Sequence, residues 1–220
     1  WLGIDDLKKF RQLGSRTPGH PERGLTPGIE ATTGPLGQGV GNALGMAVAE
    51  CILRNHFGED VVNHTTYCLH GDGDIQEPVS QGAISLAGHW GLGKLIHYYD
   101  SNNAQISGQV SRADSTDYVK MYQSHGWHVQ EIDGHDRGAI RDSIRKAQME
   151  VAKPSVIIGH TIMAQGCATM EDDYNTHGAP LPPEEISATK KKLDLDPNDF
   201  FALPDDVLEE FREGFDYARG

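Results

Sequence analysis

Asp72 and Asn102 are the residues of this chain best suited to hold a metal ion. In HGDGDIQE, His70 to Glu77, Asp72 stands between Gly71 and Gly73, directly after an apolar run. Asn102 follows the next apolar run, thirty residues further on. A carboxylate and an amide oxygen suit a hard divalent cation such as Mg2+, which takes a few protein oxygens and completes its shell with phosphate oxygens and water. The two glycines leave room for a diphosphate beside such an ion. A helix beginning near Asp74 would aim free N–H groups at the same place. G-D-G alone recurs as turn chemistry; followed thirty residues later by a strand-terminal asparagine it is a much more specific pattern.

The elements that must position these residues are legible as alternating strands and helices. Strands are expected over 65–73, 94–100, 127–133 and 155–161, from short apolar runs bounded by turn residues. Helices are expected over 5–13, 35–57, 75–91, 117–126 and 135–153, the last with Ile140, Ile144, Ala147 and Val151 as its buried stripe. The alternation predicts an α/β fold, a doubly wound and mainly parallel sheet flanked by helices. Ligands of such sheets sit at the carboxyl ends of the strands. Those ends read GDG, DSNN, DGHD and HTIMAQG.

Residues 15–34 hold three prolines and four glycines and read as loop; an ordered loop of that length is usually functional. Gly37, Gly41 and Gly45 share one helical face, which predicts close approach of another backbone or a ligand, read as tight helix packing at a subunit contact. Residues 1–187 are expected to form one domain segment. Residues 188–220 read as a charged tail with a late amphipathic helix carrying Val207, Leu208, Phe211 and Phe215. The opening WLGIDDLKKF reads as the middle of a longer protein, so the fold is expected to be incomplete at its N-terminus.

Composition narrows the partners. The net charge is −13 and the short run Lys190–Lys192 is the one basic cluster, so nucleic acid is not expected as a partner. Eighteen uninterrupted apolar residues, the span a membrane helix needs, occur nowhere. Cys51, Cys68 and Cys167 are odd in number and irregularly spaced, against a disulfide framework or zinc site and in keeping with a cytoplasmic setting.

In order along the chain, SRTPGHPE, TTGPLGQGVGNALGMAVAE, GDGDIQE, SLAGHWGLGKLI, YYDSNNAQISG, GWHVQEIDGHD and THGAPL resemble the transketolase family. The likeness covers most of residues 5–185 and implies the thiamine diphosphate-binding fold. It implies that Asp72 and Asn102 bind Mg2+ through their side chains, with Ca2+ or Mn2+ as substitutes, and that the Ala104 carbonyl completes the protein ligands. The family usually has a larger aliphatic residue at that last position. Gly34, Pro35 and Leu36 would line thiamine diphosphate, with Leu36 near the thiazolium, and Gly73 would touch the diphosphate. His20 would face the donor sugar's hydroxyls. His177 would lie near the diphosphate and the reacting centre, where a histidine can assist proton transfer. Glu77 would join a carboxylate network at a dimer interface.

The same resemblance implies transfer of a two-carbon ketol unit between sugar phosphates by a homodimer. The pyrimidine-binding domain with its activating glutamate is not in this sequence, so the chain would hold half a site and be inactive alone. Gly82 stands where the family often has Glu, and His160 where Lys or Arg is common. Two other readings share these residues. One is another thiamine diphosphate enzyme, of phosphoketolase or 1-deoxyxylulose-5-phosphate synthase type, against which SRTPGHPE and THGAPL argue. The other is a non-catalytic binding module or one subunit of a split enzyme.

Overall fold

The computed structural model describes residues 2–106 and 108–217, with side chains through 213. Its centre is a four-stranded parallel sheet. The strands are β1 (Thr66–Gly71), β2 (Leu95–Ser101), β5 (His128–Asp133) and β6 (Ser155–His160), in the order β1-β2-β6-β5. A two-stranded antiparallel ribbon, β3 (Ala104–Gln105) and β4 (Gly108–Gln109), lies between β2 and β5 in the chain. The doubly wound α/β expectation is met.

Helices cover both faces. Helices α2 (Gln38–Phe57), α4 (Pro78–Trp90) and α5 (Tyr118–Ser124) bury Val40, Ala43, Ala47, Ala83, Ile84, Ala87 and Tyr122 in one core with Leu95, Tyr99, Val156 and Ile158. Helix α6 (Arg137–Met149) packs Ala147 and Ile144 against Ile96 and Ile157 on the opposite side. Neighbouring strand residues therefore serve different cores, as the period of two requires. Strand β6 lies between two others and is buried at every position except His160, which explains its unbroken apolar run.

Register brings the strand ends together. Gly71 pairs with Asp100, and Ser101 with His160, so the segments after β1, β2 and β6 leave the sheet side by side. At the other end of the sheet, buried Glu50 of α2 receives Lys94 at 2.9 Å and Arg54 at 3.2 Å, tying that helix to the start of β2.

Several expected boundaries move. Helix α1 is only Ile4–Leu7, and turns carry the chain on to Gly14. The helix expected over 75–91 is two: α3 (Asp72–Gln76) and α4. Between them Glu77 is extended, at φ −69° and ψ 137°, because Pro78 follows and disfavours a helical residue before it. The 65–73 strand ends at Gly71, and Asp72 already belongs to α3, so the first helix after it starts three residues earlier than expected. Val151 lies beyond α6 and is exposed, leaving the stripe to Ile140, Ile144 and Ala147.

The residues divide into two compact units, Trp1–Met163 with Asp172–Ala179, and Ala164–Glu171 with Pro180–Gly220. In the second unit, α7 (Pro183–Lys192) presents buried Glu185 to the 164–171 segment. Thr169 donates to Glu185 from its backbone at 2.8 Å and its hydroxyl at 2.7 Å, and Met170 from its backbone at 3.2 Å, which holds that carboxyl below the usual range. The expected late helix is α8 (Asp205–Tyr217), on which Val207 and Phe211 are exposed. The side chain of Phe215 lies outside the described residues.

Candidate metal and diphosphate site

Every residue expected to act chemically lies in the first unit. Asp72 is the first residue of α3, 4% exposed. Its Oδ2 accepts from the backbone N–H of Asn102 at 3.1 Å, which joins the two positions across thirty residues of sequence. Its Oδ1 accepts from the Tyr99 hydroxyl at 2.5 Å. Burial pushes the Asp72 carboxyl up, against the Tyr99 and backbone hydrogen bonds that pull it down. Among the described residues no ion pair reaches Asp72, so its charge is stabilised by neutral donors alone.

The Asn102 side chain is held at both ends. Its Nδ2 donates to Asp100 at 3.1 Å, and its Oδ1 accepts from the Ala104 N–H at 3.0 Å. Thr161 in turn donates its hydroxyl to Asp100. Asn103, between the two, takes a left-handed backbone at φ 56°, a conformation asparagine tolerates better than most residues. This turn folds the chain back so that buried Ala104 follows Asn102 closely.

The glycine-rich segment before α2 meets α3 through one carboxylate. Asp74 Oδ1 accepts from the Gly37 N–H and Oδ2 from the Gly71 N–H, each at 3.0 Å. A side-chain carbon at Gly73 would stand 3.2 Å from Leu36, and one at Gly34 would stand 3.0 Å from the His20 side chain. Gly73 with Leu36, and Gly34 with His20, are thus brought together; Pro35, between Gly34 and Leu36, is exposed. At Gly37, φ is 76° and a Cβ would lie 2.8 Å from Glu77, Val79 and Ser80. Gly41 approaches Val79, whereas Gly45 faces open space within this chain. The glycine stripe therefore serves close packing of α2 on α4 at two of its three positions.

Glu77 is half-buried at the α3–α4 break. His20 and His177 are exposed, and His177 follows a 3-10 turn over Tyr174–Thr176. The carbonyl of neighbouring Gly178 accepts from Arg11 at 3.4 Å. No hydrogen bond or ion pair joins the His177 side chain to Asp72, Asn102 or His20 among the described residues.

The donor set fits a hard cation beside a diphosphate. It offers one carboxylate, one amide oxygen and a backbone carbonyl, with space at Gly71, where an added side chain would meet nothing within 4 Å. Among the described residues, no cluster of three His, Cys, Asp or Glu competes for a metal.

The family model for the thiamine diphosphate binding domain of transketolase matches residues 2–218. The chain belongs to the transketolase family. It is 47% identical over 214 residues to a transketolase 2 of Xanthobacter flavus, covering 93% of this chain and 31% of that protein. Among solved structures, it superposes on a transketolase from Leishmania mexicana with a TM-score of 0.93 and 43% identity, covering 98% of this chain and 33% of that one. It matches a Pichia stipitis transketolase in complex with sedoheptulose 7-phosphate with a TM-score of 0.92 and 40% identity, covering 96% and 32%. The chain thus spans about a third of the length of the transketolases it matches.

The two positions expected to depart from the family pattern have a visible setting. His160 is exposed at the end of β6 and meets Glu131 at 3.1 Å. Gly82 is exposed on α4, and a side chain there would touch nothing within 4 Å.

Sequence reading missed the aromatic network behind Asp72. Tyr99 stacks on His70, with ring centroids 5.1 Å apart. The Tyr122 hydroxyl lies 3.1 Å from His70 Nε2 and 3.2 Å from His97 Nδ1, so it donates to one imidazole and accepts from the other. His97 is buried and belongs to this chain of contacts. The alternation in LIHYYDS, which sets His97 and Tyr99 on one face, was the available signal.

Burial keeps both imidazoles neutral, lowering His70 to about 4 and His97 well below its ordinary value. Between about pH 6.5 and 4 the unfolded chain binds more protons at these positions, so stability falls as pH falls through that window. His70 alone is expected to cost about 2 kcal/mol at pH 5 relative to pH 8. Its imidazole resonances should titrate near 4 by NMR, and a midpoint near 6.5 would contradict its buried neutral state.

Proposed function

We propose that this chain is the metal- and diphosphate-binding part of a transketolase that transfers a two-carbon ketol unit from a ketose phosphate to an aldose phosphate. The observation that carries the reading is the direct bond between the Asn102 N–H and the Asp72 carboxylate, at the ends of adjacent strands in a chain of this family. Asp72 and Asn102 would hold Mg2+ by side-chain oxygens, with the Ala104 carbonyl beside them. Ca2+ and Mn2+ share that preference for oxygen ligands.

When bound, thiamine diphosphate supplies the carbanion and the electron sink. The residues here would bind and orient it. Gly34, Pro35 and Leu36 line its approach, Gly73 leaves the backbone bare toward the diphosphate, and Leu36 offers an apolar surface to the thiazolium. His20 would engage sugar hydroxyls, and His177 would hold or release a proton near the reacting centre. Glu77 would face a second subunit of a homodimer. Residues 1–187 carry the diphosphate side, and 188–220 lead toward the pyrimidine-binding part. Among the described residues no helix is long and apolar enough to cross a membrane, and all three cysteines are free, in keeping with a cytoplasmic setting.

Calorimetric titration with thiamine diphosphate, with and without Mg2+, tests the reading. Binding is expected to be weak and to require the metal; equal affinity without Mg2+ would overturn the metal's role. These 220 residues alone are expected not to convert xylulose 5-phosphate and ribose 5-phosphate. Turnover by the purified chain would show that half a site suffices.

A further inference from the structure

We infer that Tyr99 is a positioning residue for the metal, its hydroxyl fixing the direction in which the Asp72 carboxylate faces the cation. The inference rests on the reading of Asp72 as a ligand given above.

The geometry separates two jobs. Asp72 sits on the first residue of a five-residue helix, but its orientation is set from β2. The Tyr99 ring is 2% exposed, stacked on His70 with 17° between planes, and met edge-on by Tyr118 at 5.7 Å. Held on two sides, the ring delivers its hydroxyl to one point. That hydroxyl takes one lone-pair site on Asp72 Oδ1, and the Asn102 N–H takes one on Oδ2. A carboxylate has about four such sites; the Asn103 and Ala104 N–H groups of the same turn also favour its charged form, so the phenol and the turn together set its direction. Without the hydroxyl, the terminal carboxylate torsion, which is broad, would be restrained only by the backbone N–H groups of the 102–104 turn.

The type of donor matters as well. An arginine or lysine at this position would neutralise Asp72 and compete with the cation. A phenol orients the carboxylate while leaving its charge for the metal.

Tyr99→Phe removes the hydroxyl and keeps the ring. Mn2+ titration of this chain by electron paramagnetic resonance, with thiamine diphosphate present, is expected to show affinity weaker by about 10- to 100-fold, the usual consequence of losing a group that orients a metal ligand. A role in packing alone would lower the melting temperature of the ligand-free chain and leave the Mn2+ dissociation constant within about twofold of wild type. That result would overturn the inference.

Asp72→Asn distinguishes the levels. If it loses Mn2+ while Tyr99→Phe keeps it, the positioning role falls and the ligand role stands. If Asp72→Asn binds Mn2+ like wild type, or the wild-type chain binds none, the underlying reading falls too. Should Tyr99→Phe fail to fold, 4-aminophenylalanine and 4-methylphenylalanine at position 99 make the same comparison. The donor-bearing ring should retain Mn2+ and the methylated ring should not; equal affinities would overturn the inference.

Discussion

Asp72→Ala is expected to abolish metal-dependent retention of thiamine diphosphate, weakening Mg2+ by more than about 100-fold, because a metal ligand contributes more than the outer groups that orient it. The change removes the carboxylate from the proposed ligand set and leaves the Tyr99 hydroxyl and Asn102 N–H without their acceptor. Dialysis against buffer with and without Mg2+, followed by assay of the retained cofactor, reads the effect. Retention equal to wild type would rule out a metal role for Asp72.

The stability of the same variants carries an independent sign. Burial raises the folded-state pKa of Asp72 above its unfolded value. Between those two values the folded chain binds more protons, so this group's contribution is fully present at low pH and is lost as pH rises through the folded value. At neutral pH without metal, the ionised carboxylate is therefore a net burden on the fold. Asp72→Asn, which keeps the shape and drops the charge, should be at least as stable as wild type in urea at pH 7 without metal. It should also lose the stabilisation that Mg2+ and cofactor are proposed to give the wild type. Such opposition between local stability and binding is common at functional sites.

The largest purely structural effect is expected from Gly88→Ala. Gly88 lies on α4 where α5 turns into β5, and an added Cβ would stand 1.8 Å from the His125 carbonyl oxygen. The obstacle is backbone, so no side-chain rotation relieves it. Trp127, whose indole N–H donates to the Ile84 carbonyl at 2.9 Å, crowds the same point, its ring 3.2 Å from that Cβ. Alanine's better helix propensity returns about 1 kcal/mol. The net loss should be about 3 kcal/mol or more, a fall of roughly 10 °C in melting temperature. Gly45→Ala, on α2 with nothing within 4 Å of its Cβ, is the internal control and should not destabilise the chain. Similar melting points for the two variants would contradict the close approach at Gly88.

Much of this organisation was legible in advance because it depends on local chemistry. The runs read as strands over 65–73, 94–100, 127–133 and 155–161 became β1, β2, β5 and β6 of a parallel sheet, with bounds shifted by one or two residues. The Asp72–Asn102 pairing was readable because each residue directly follows one of two neighbouring strands. What escaped was set by tertiary geometry or by one dominant local rule. Pro78 split a helix whose apolar periodicity runs through it. Val151 fits the α6 stripe by spacing, yet the helix ends at Met149 and the pattern loses its meaning there. Tyr99, Tyr122 and His70 meet from three elements, β2, α5 and β1, and no spacing in the sequence announces that meeting.

Asp74 gives the site a property unrelated to metal affinity. By accepting the Gly37 and Gly71 N–H groups with its two oxygens, it ties the start of α2 to the end of β1 by hydrogen bonds. Leu36 and Gly73 are thereby held against each other by the same carboxylate that flanks both. The conformational entropy of that approach is surrendered when the chain folds, not when a ligand arrives. A cofactor would meet a wall already assembled, and its association would carry that much less ordering cost.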